Sequence, residues 1–147
     1  MITYEMAQET DAQQIKQIYE LTGWGSKDDP LDLIIKIIQG SFCFYVAKEN
    51  GRLIGIARAI SDGVSDAYIQ DVTVIENFRG RGIGYHLINL IKEFLLKSGI
   101  SWIGVISEPG AENFYPKFGF NVMKGYTPFL LGDNKWAGLK SNKNDTI

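Results

Sequence analysis

The chain has 147 residues, 45% of them hydrophobic and 22% charged, with a formal charge of −2 and a single cysteine. This is the composition of one soluble globular domain, long enough to bury about two-thirds of its unfolded surface. The slight negative charge argues against a general nucleic-acid-binding surface, no apolar run approaches the roughly 20 residues of a membrane span, and one cysteine cannot form an internal disulfide.

The opening residues Met1-Ile2-Thr3-Tyr4-Glu5 lack the basic and apolar regions of a signal peptide, so the expected location is the cytoplasm. Ile2 to Met6 is expected as a short first strand. Thr10 or Asp11 is a candidate cap for a helix whose Ile15, Ile18, Tyr19 and Leu21 share one face, ending near Gly23. Trp24, Gly25, Ser26 and the acidic pair Asp28-Asp29 form a loop, and Pro30 suits the start of a second helix running to about Gln39. Leu31, Leu33, Ile34, Ile35, Ile37 and Ile38 make that helix apolar nearly all round, which predicts substantial burial or a place over a cleft.

Ser41 to Lys48 and Arg52 to Ile60 read as an antiparallel pair joined at Asn50-Gly51, a strong hairpin signal. Cys43 sits among Phe42, Phe44, Tyr45 and Val46, where a buried thiol is the ordinary reading. After the polar turn Ser61 to Asp66, Ala67 to Ile75 has the β-branched and aromatic content of a strand packed on both faces. Ile83, Leu87, Leu90, Ile91, Phe94 and Leu95 then recur at helical spacing, with Gly99 as the stop. Ser101 to Ile106 is a further strand, Ala111 to Phe118 a short helix compromised by Pro116, and Phe120 to Met123 and Tyr126 to Leu131 are expected as the last strands. Residues 1–131 form the expected domain and 132–147, polar apart from Trp136, a loose tail.

Between the central strand and its helix stands Arg79-Gly80-Arg81-Gly82-Ile83-Gly84. Glycines there let main-chain N–H groups come close to a ligand at a helix N-terminus, where those donors lack intrahelical partners. The helix dipole and two arginines favour an anion, and a diphosphate suits the site. The spacing fits neither a Walker loop, for want of a lysine followed by Ser or Thr, nor the G-x-G-x-x-G of a dinucleotide fold.

The loop does match Q/R-x-x-G-x-G/A, and on it the chain resembles the GNAT superfamily of acetyl-coenzyme A-dependent N-acetyltransferases. A second stretch, Ala111-Glu112-Asn113-Phe114-Tyr115-Pro116-Lys117-Phe118-Gly119-Phe120, meets the family form A-x-x-x-Y-x-x-x-G-F at every stated position. The resemblance runs from about Ile2 to Leu131 and implies a mixed α/β fold, with a central, mostly antiparallel sheet flanked by helices. It departs from the family pattern at Glu108, where an asparagine is common, and at Tyr68, where a glutamate often serves as general base.

The resemblance implies acetyl-CoA as co-substrate, no metal, and a small primary amine as acceptor; charge and hydropathy argue against nucleic acid and membrane as partners, and a homodimer is left open. It places Val72, Thr73 and Val74 beside the pantetheine arm and Arg79, Gly80, Arg81, Gly82, Ile83, Gly84 and Tyr85 around the diphosphate. Tyr115 is the implied proton donor to the departing thiolate. Asp71 is a base candidate or a structural residue at a strand bulge, with Glu108 as a second acidic candidate. Trp24, Tyr68, Tyr126 and Phe129 are the aromatic candidates for the acceptor pocket, and Asp28, Asp29 and Asp62 the acidic ones. The competing function is a module that binds acetyl-CoA without catalysis, which thiol release in the presence of amines distinguishes.

Overall fold

A computed structural model describes residues 1–132. Its elements are β1 (Ile2–Met6), α1 (Ala12–Thr22), α2 (Leu31–Gly40), β2 (Cys43–Glu49), β3 (Arg52–Ser61), β4 (Asp66–Val74), α3 (Ile83–Lys97) and β5 (Trp102–Val105). The strands form one sheet in the order β1-β2-β3-β4-β5. Successive pairs are antiparallel except β4 and β5, which are parallel and joined through α3. This is the expected mixed α/β architecture, a mostly antiparallel sheet with helices against it.

Two buried clusters separate the faces of the sheet. Leu87, Ile88, Ile91 and Leu95 of α3 pack on Ala57, Ala59, Ala67 and Ile69 on one side. Ile15, Ile18 and Tyr19 of α1 and Ile34 of α2 pack on Phe44, Val46 and Ile56 on the other. Each fully buried Leu or Ile contributes about 1.5–3 kcal/mol, so the periodicity of α3 accounts for its docking. Gly55 lets α3 approach closely: a β-carbon there would lie 3.2 Å from Ile83 and 3.3 Å from Leu87.

Local signals are met where they depend on neighbours in sequence. Asn50 and Gly51 both take positive φ, 50° and 77°, as a two-residue hairpin turn requires. Gly23 ends α1 at φ 78° and Gly99 follows α3 at φ 85°. Asp11 stands at the start of α1 but does not cap that helix with its side chain. Its carboxylate instead accepts the Gln8 N–H at 2.9 Å and pairs with Lys48 at 2.7 Å. In α2 only Ile34 is fully buried, and Leu33, Ile35, Ile37 and Ile38 are half-buried, so the helix covers the sheet with one side rather than being enclosed.

The end of the described chain departs from expectation. Ala111 to Phe118 is not an α-helix but turns ending in a 3-10 segment, Tyr115–Phe118, because Pro116 within its first turn leaves room only for a short, tight helix. Phe120 to Met123 and Tyr126 to Leu131 are not strands, and the residues from 121 to 132 are exposed. Their apolar content favours β structure, but Gly125 turns the chain at φ 82° and Pro128 has no N–H for a ladder. The tail from 133 to 147, with Trp136, lies outside the described residues.

Candidate active site

The ladder between β4 and β5 ends at Ile69 with Val105, although β4 continues to Val74. Beyond that point β4 has, among the described residues, a partner on only one side. Ile75 donates its N–H to Ile54 at 2.9 Å, so the N–H and C=O of Val74, and by alternation of Val72, face the other edge. A cleft of about 520 Å³ lies along this edge, walled by Val72, Thr73 and Val74, the loop from Phe78 to Tyr85, and Phe114, Tyr115 and Lys117. Unpaired strand edge and helix N-terminus meet in one groove.

Gly80 and Gly82 hold positive φ, 79° and 77°, and a β-carbon at either would meet nothing within 4 Å. Gly82 is the N-cap of α3, so the first-turn N–H groups, which lack intrahelical partners, lie at the cleft. Arg79 lines the cleft and donates from Nε to the Val74 carbonyl at 3.0 Å. Arg81, its neighbour in the motif, turns away: it pairs with Glu49 at 2.7 Å and covers the Phe78 ring at 5.6 Å. The groove combines main-chain donors at one end with a β edge along its length, an arrangement suited to an extended ligand with an anionic end.

Tyr115 stands on the wall opposite β4, its ring against Phe114 and Phe120. Burial, then the Glu108 carboxylate and Tyr68, raise its pKa above the ordinary phenol value. Tyr68 is raised in turn by burial, Asp71 and Glu108. These groups therefore lie within electrostatic reach of one another where β4 and β5 part. Tyr68 also lines a second hollow of about 400 Å³, with Ile60, Asp62, Asp66, Trp102 and Gly104. Asp62 is committed to its own turn, accepting N–H bonds from Val64 and Ser65 at 2.8 Å, and the Ser65 hydroxyl first, then these bonds, pull its pKa down to about 2.

Asp71 is buried, with φ at 56°. Holding a non-glycine residue there costs about 1–3 kcal/mol, so its surroundings must enforce it. Oδ2 accepts from Arg58 Nε at 2.6 Å and from the Tyr19 hydroxyl at 2.7 Å. Arg58 also reaches Gln70 Oε1 at 2.8 Å and Ser41 Oγ at 3.3 Å. The register explains the backbone: Arg58 lies opposite Gln70 but Ile56 opposite Thr73, so Asp71 and Val72 together face Ala57 alone. Asp71 is the bulge residue of β4, and its Oδ2 already accepts two hydrogen bonds.

Among the sequence candidates, Val72, Thr73, Val74, Arg79, Gly80, Gly82, Ile83, Gly84, Tyr85 and Tyr115 come together on the cleft. Trp24 packs against Tyr19 at 6.2 Å on the α1 side, and Asp29 is buried, accepting the Ser26 N–H at 2.6 Å. Tyr126 and Phe129 are exposed on the terminal segment. Phe114 and Lys117 were not anticipated as cleft residues, nor Arg58 as Asp71's partner. A lone arginine in Leu-Ile-Gly-Ile-Ala-Arg-Ala-Ile is itself a signal, since a charge in a buried strand needs a partner. Cys43 is buried, and that burial pushes its thiol up to about 11, as suits an inert core cysteine. Among the described residues no cluster of three or more His, Cys, Asp or Glu is arranged to hold a metal, and no helix is long and apolar enough to cross a membrane.

Comparison with known proteins bears on the fold and the family. Residues 8–120 match the model of the acetyltransferase (GNAT) family. The uncharacterized N-acetyltransferase ycf52 of Pyropia yezoensis is 32% identical over 111 residues, covering 73% of this chain and 63% of that protein. The chain thus spans about three-fifths of the length of such curated relatives. A probable acetyltransferase from meticillin-resistant Staphylococcus aureus superposes with a TM-score of 0.77 at 18% identity, covering 90% of this chain and 99% of its own. A predicted acetyltransferase from Clostridium acetobutylicum, solved with acetyl-CoA, gives 0.69 at 18%, covering 88% and 96%. These two structures bear on the fold alone, whereas the family model covers most of the sequence as well: the chain belongs to the acetyltransferase (GNAT) family.

Proposed function

We propose that the protein transfers the acetyl group of acetyl-CoA to a primary amine of a small molecule, by direct attack of the amine on the thioester. The observation that carries this reading is the meeting, in one cleft, of an unpaired β4 edge, the open N-terminus of α3 and the Tyr115 hydroxyl. Acetyl-CoA supplies an acyl group already activated as a thioester. The loop from Arg79 to Tyr85 binds its diphosphate through main-chain N–H groups, the α3 dipole and the Arg79 guanidinium. Val72 and Val74 hold the extended arm as a neighbouring strand would, and a β4 N–H faces the thioester oxygen as it gathers negative charge.

The remaining work is proton transfer. Tyr115, kept protonated by its partly apolar surroundings and by Glu108, holds the proton that the thiolate takes as it leaves. The acceptor amine enters from the hollow whose lining includes the aromatic Tyr68 and Trp102 and the acidic Asp66, side chains suited to a cation. Glu108, exposed beside both tyrosines, accepts the amine's proton through water. Asp71 serves the site as the strand-bulge residue rather than as base.

The test is thiol release from acetyl-CoA with a panel of arylalkylamines, polyamines and amino-acid amides. Amine-dependent release above the hydrolysis background is expected. Tight acetyl-CoA binding with no amine-dependent release would identify a binding module instead.

A further inference from the structure

We propose that Arg58 is the positioning residue of the acetyl-transfer site: it locks the β4 bulge at Asp71 and so sets which main-chain groups of β4 face the cleft. This rests on the reading of the cleft as the acetyl-CoA site. The argument begins with the phase of a strand. N–H and C=O groups alternate between the two edges, so one additional residue in β4 inverts which of the following residues present their donors to the open edge. That additional residue lies immediately after Gln70, the partner of Arg58, and just beyond the last pairing of β4 with β5 at Ile69. Without it, Thr73 would present its groups to the cleft in place of Val72 and Val74.

Nothing in β4 itself demands the slip, for its residues between Asp66 and Val74 include neither glycine nor proline. The restraint comes from the side. Arg58, only 8% exposed, extends Nε to Asp71 and one terminal nitrogen to Gln70, so a single planar guanidinium grips the residues on both sides of the peptide where the register changes. A second terminal nitrogen reaches Ser41, whose hydroxyl donates to the Ile37 carbonyl at 2.6 Å, anchoring the arginine to the end of α2. Tyr19 adds a donor to Asp71 from α1. Removing Arg58 leaves a buried carboxylate without its cation, and the lowest-cost escape is rotation of Asp71 toward solvent with release of its left-handed backbone.

The experiment compares Arg58→Met with the double variant Arg58→Met/Asp71→Gly, reading two quantities. Cross-strand amide and Hα contacts in NMR report whether Thr73 still lies opposite Ile56, and calorimetry reports acetyl-CoA affinity. Arg58→Met is expected to lose the native register beyond Gln70 and to bind acetyl-CoA about tenfold more weakly. The double variant is expected to recover both, because glycine takes positive φ unaided and no charge is left buried. A role in general sheet stability would not be rescued by glycine at position 71. Native register and affinity in Arg58→Met overturn the proposal, as does a double variant that fails to fold or stays as weak as the single one. If the unaltered protein binds no acetyl-CoA, the reading of the cleft fails, and the register measurement still decides the role of Arg58 in the bulge.

Discussion

At the scale of single residues, the two arginines of the loop motif have different fates. Arg79 faces the cleft, whereas Arg81 is spent on Glu49 and the Phe78 ring, an exposed ion pair of the kind that adds little stability. Arg79→Ala is therefore expected to weaken acetyl-CoA binding by about tenfold, and Arg81→Ala by clearly less, in parallel titrations at one ionic strength. Tyr115→Phe keeps the ring contacts with Phe114 and Phe120 but removes the proton, so kcat should fall by about 100-fold with acetyl-CoA affinity little changed. The pH profile follows from the sign of the Tyr115 shift. An acid is competent below its pKa, and this one is raised above the ordinary value of about 10. kcat should thus rise with pH as the amine loses its proton and show no descending limb below about pH 10; a fall near pH 8 would assign the acid to another group.

At the scale of elements, the site is made by what two elements leave undone. β5 ends while β4 continues, and α3 follows a glycine N-cap, Gly82, with its first N–H groups left without intrahelical partners. Gly84 lies where these elements meet. A β-carbon there would lie 3.4 Å from Phe114 and 3.8 Å from Val74, both ordinary contacts, and Gly84 does not need positive φ. Gly84→Ala should therefore leave the melting temperature unchanged or slightly higher and acetyl-CoA affinity in calorimetry little changed, as a motif that admits alanine there implies, whereas the bulkier Gly84→Val should narrow the cleft and weaken acetyl-CoA about tenfold. The same test at Gly82 would be ambiguous, because any side chain there strains a backbone at φ 77° whether or not a ligand is bound.

At the scale of the whole molecule, the cleft joins parts that are distant in sequence, the β4 edge, the start of α3 and the segment around Tyr115. A ligand spanning all three ties the α3 side of the sheet to the chain beyond β5. Acetyl-CoA at a hundred times its dissociation constant should stabilise the folded state by about 2.7 kcal/mol, raising the melting temperature by several degrees. Amines alone should shift it far less. An equal shift from amine in the absence of coenzyme would place the dominant binding surface outside the cleft.

The sequence by itself determined the features that depend on near neighbours. Apolar spacing in α3, positive-φ residues at Asn50-Gly51 and Gly23, and glycines ahead of a helix act within a few residues, so they were legible without the fold. That the glycine loop and Tyr115 line one cleft was foreshadowed in the same way, through two motifs whose spacing is local. Tertiary structure alone decided where strands find partners. Phe120–Met123 and Tyr126–Leu131 have strand composition but no ladder, since pairing needs an available edge and N–H groups that Pro128 lacks. It also decided the role of Asp71, whose neighbours in sequence do not reveal that Arg58, from the adjacent strand, and Tyr19, from the first helix, converge on one carboxylate oxygen. A buried charge is defined by its partners, and those partners are brought together only when the sheet and its covering helix have formed.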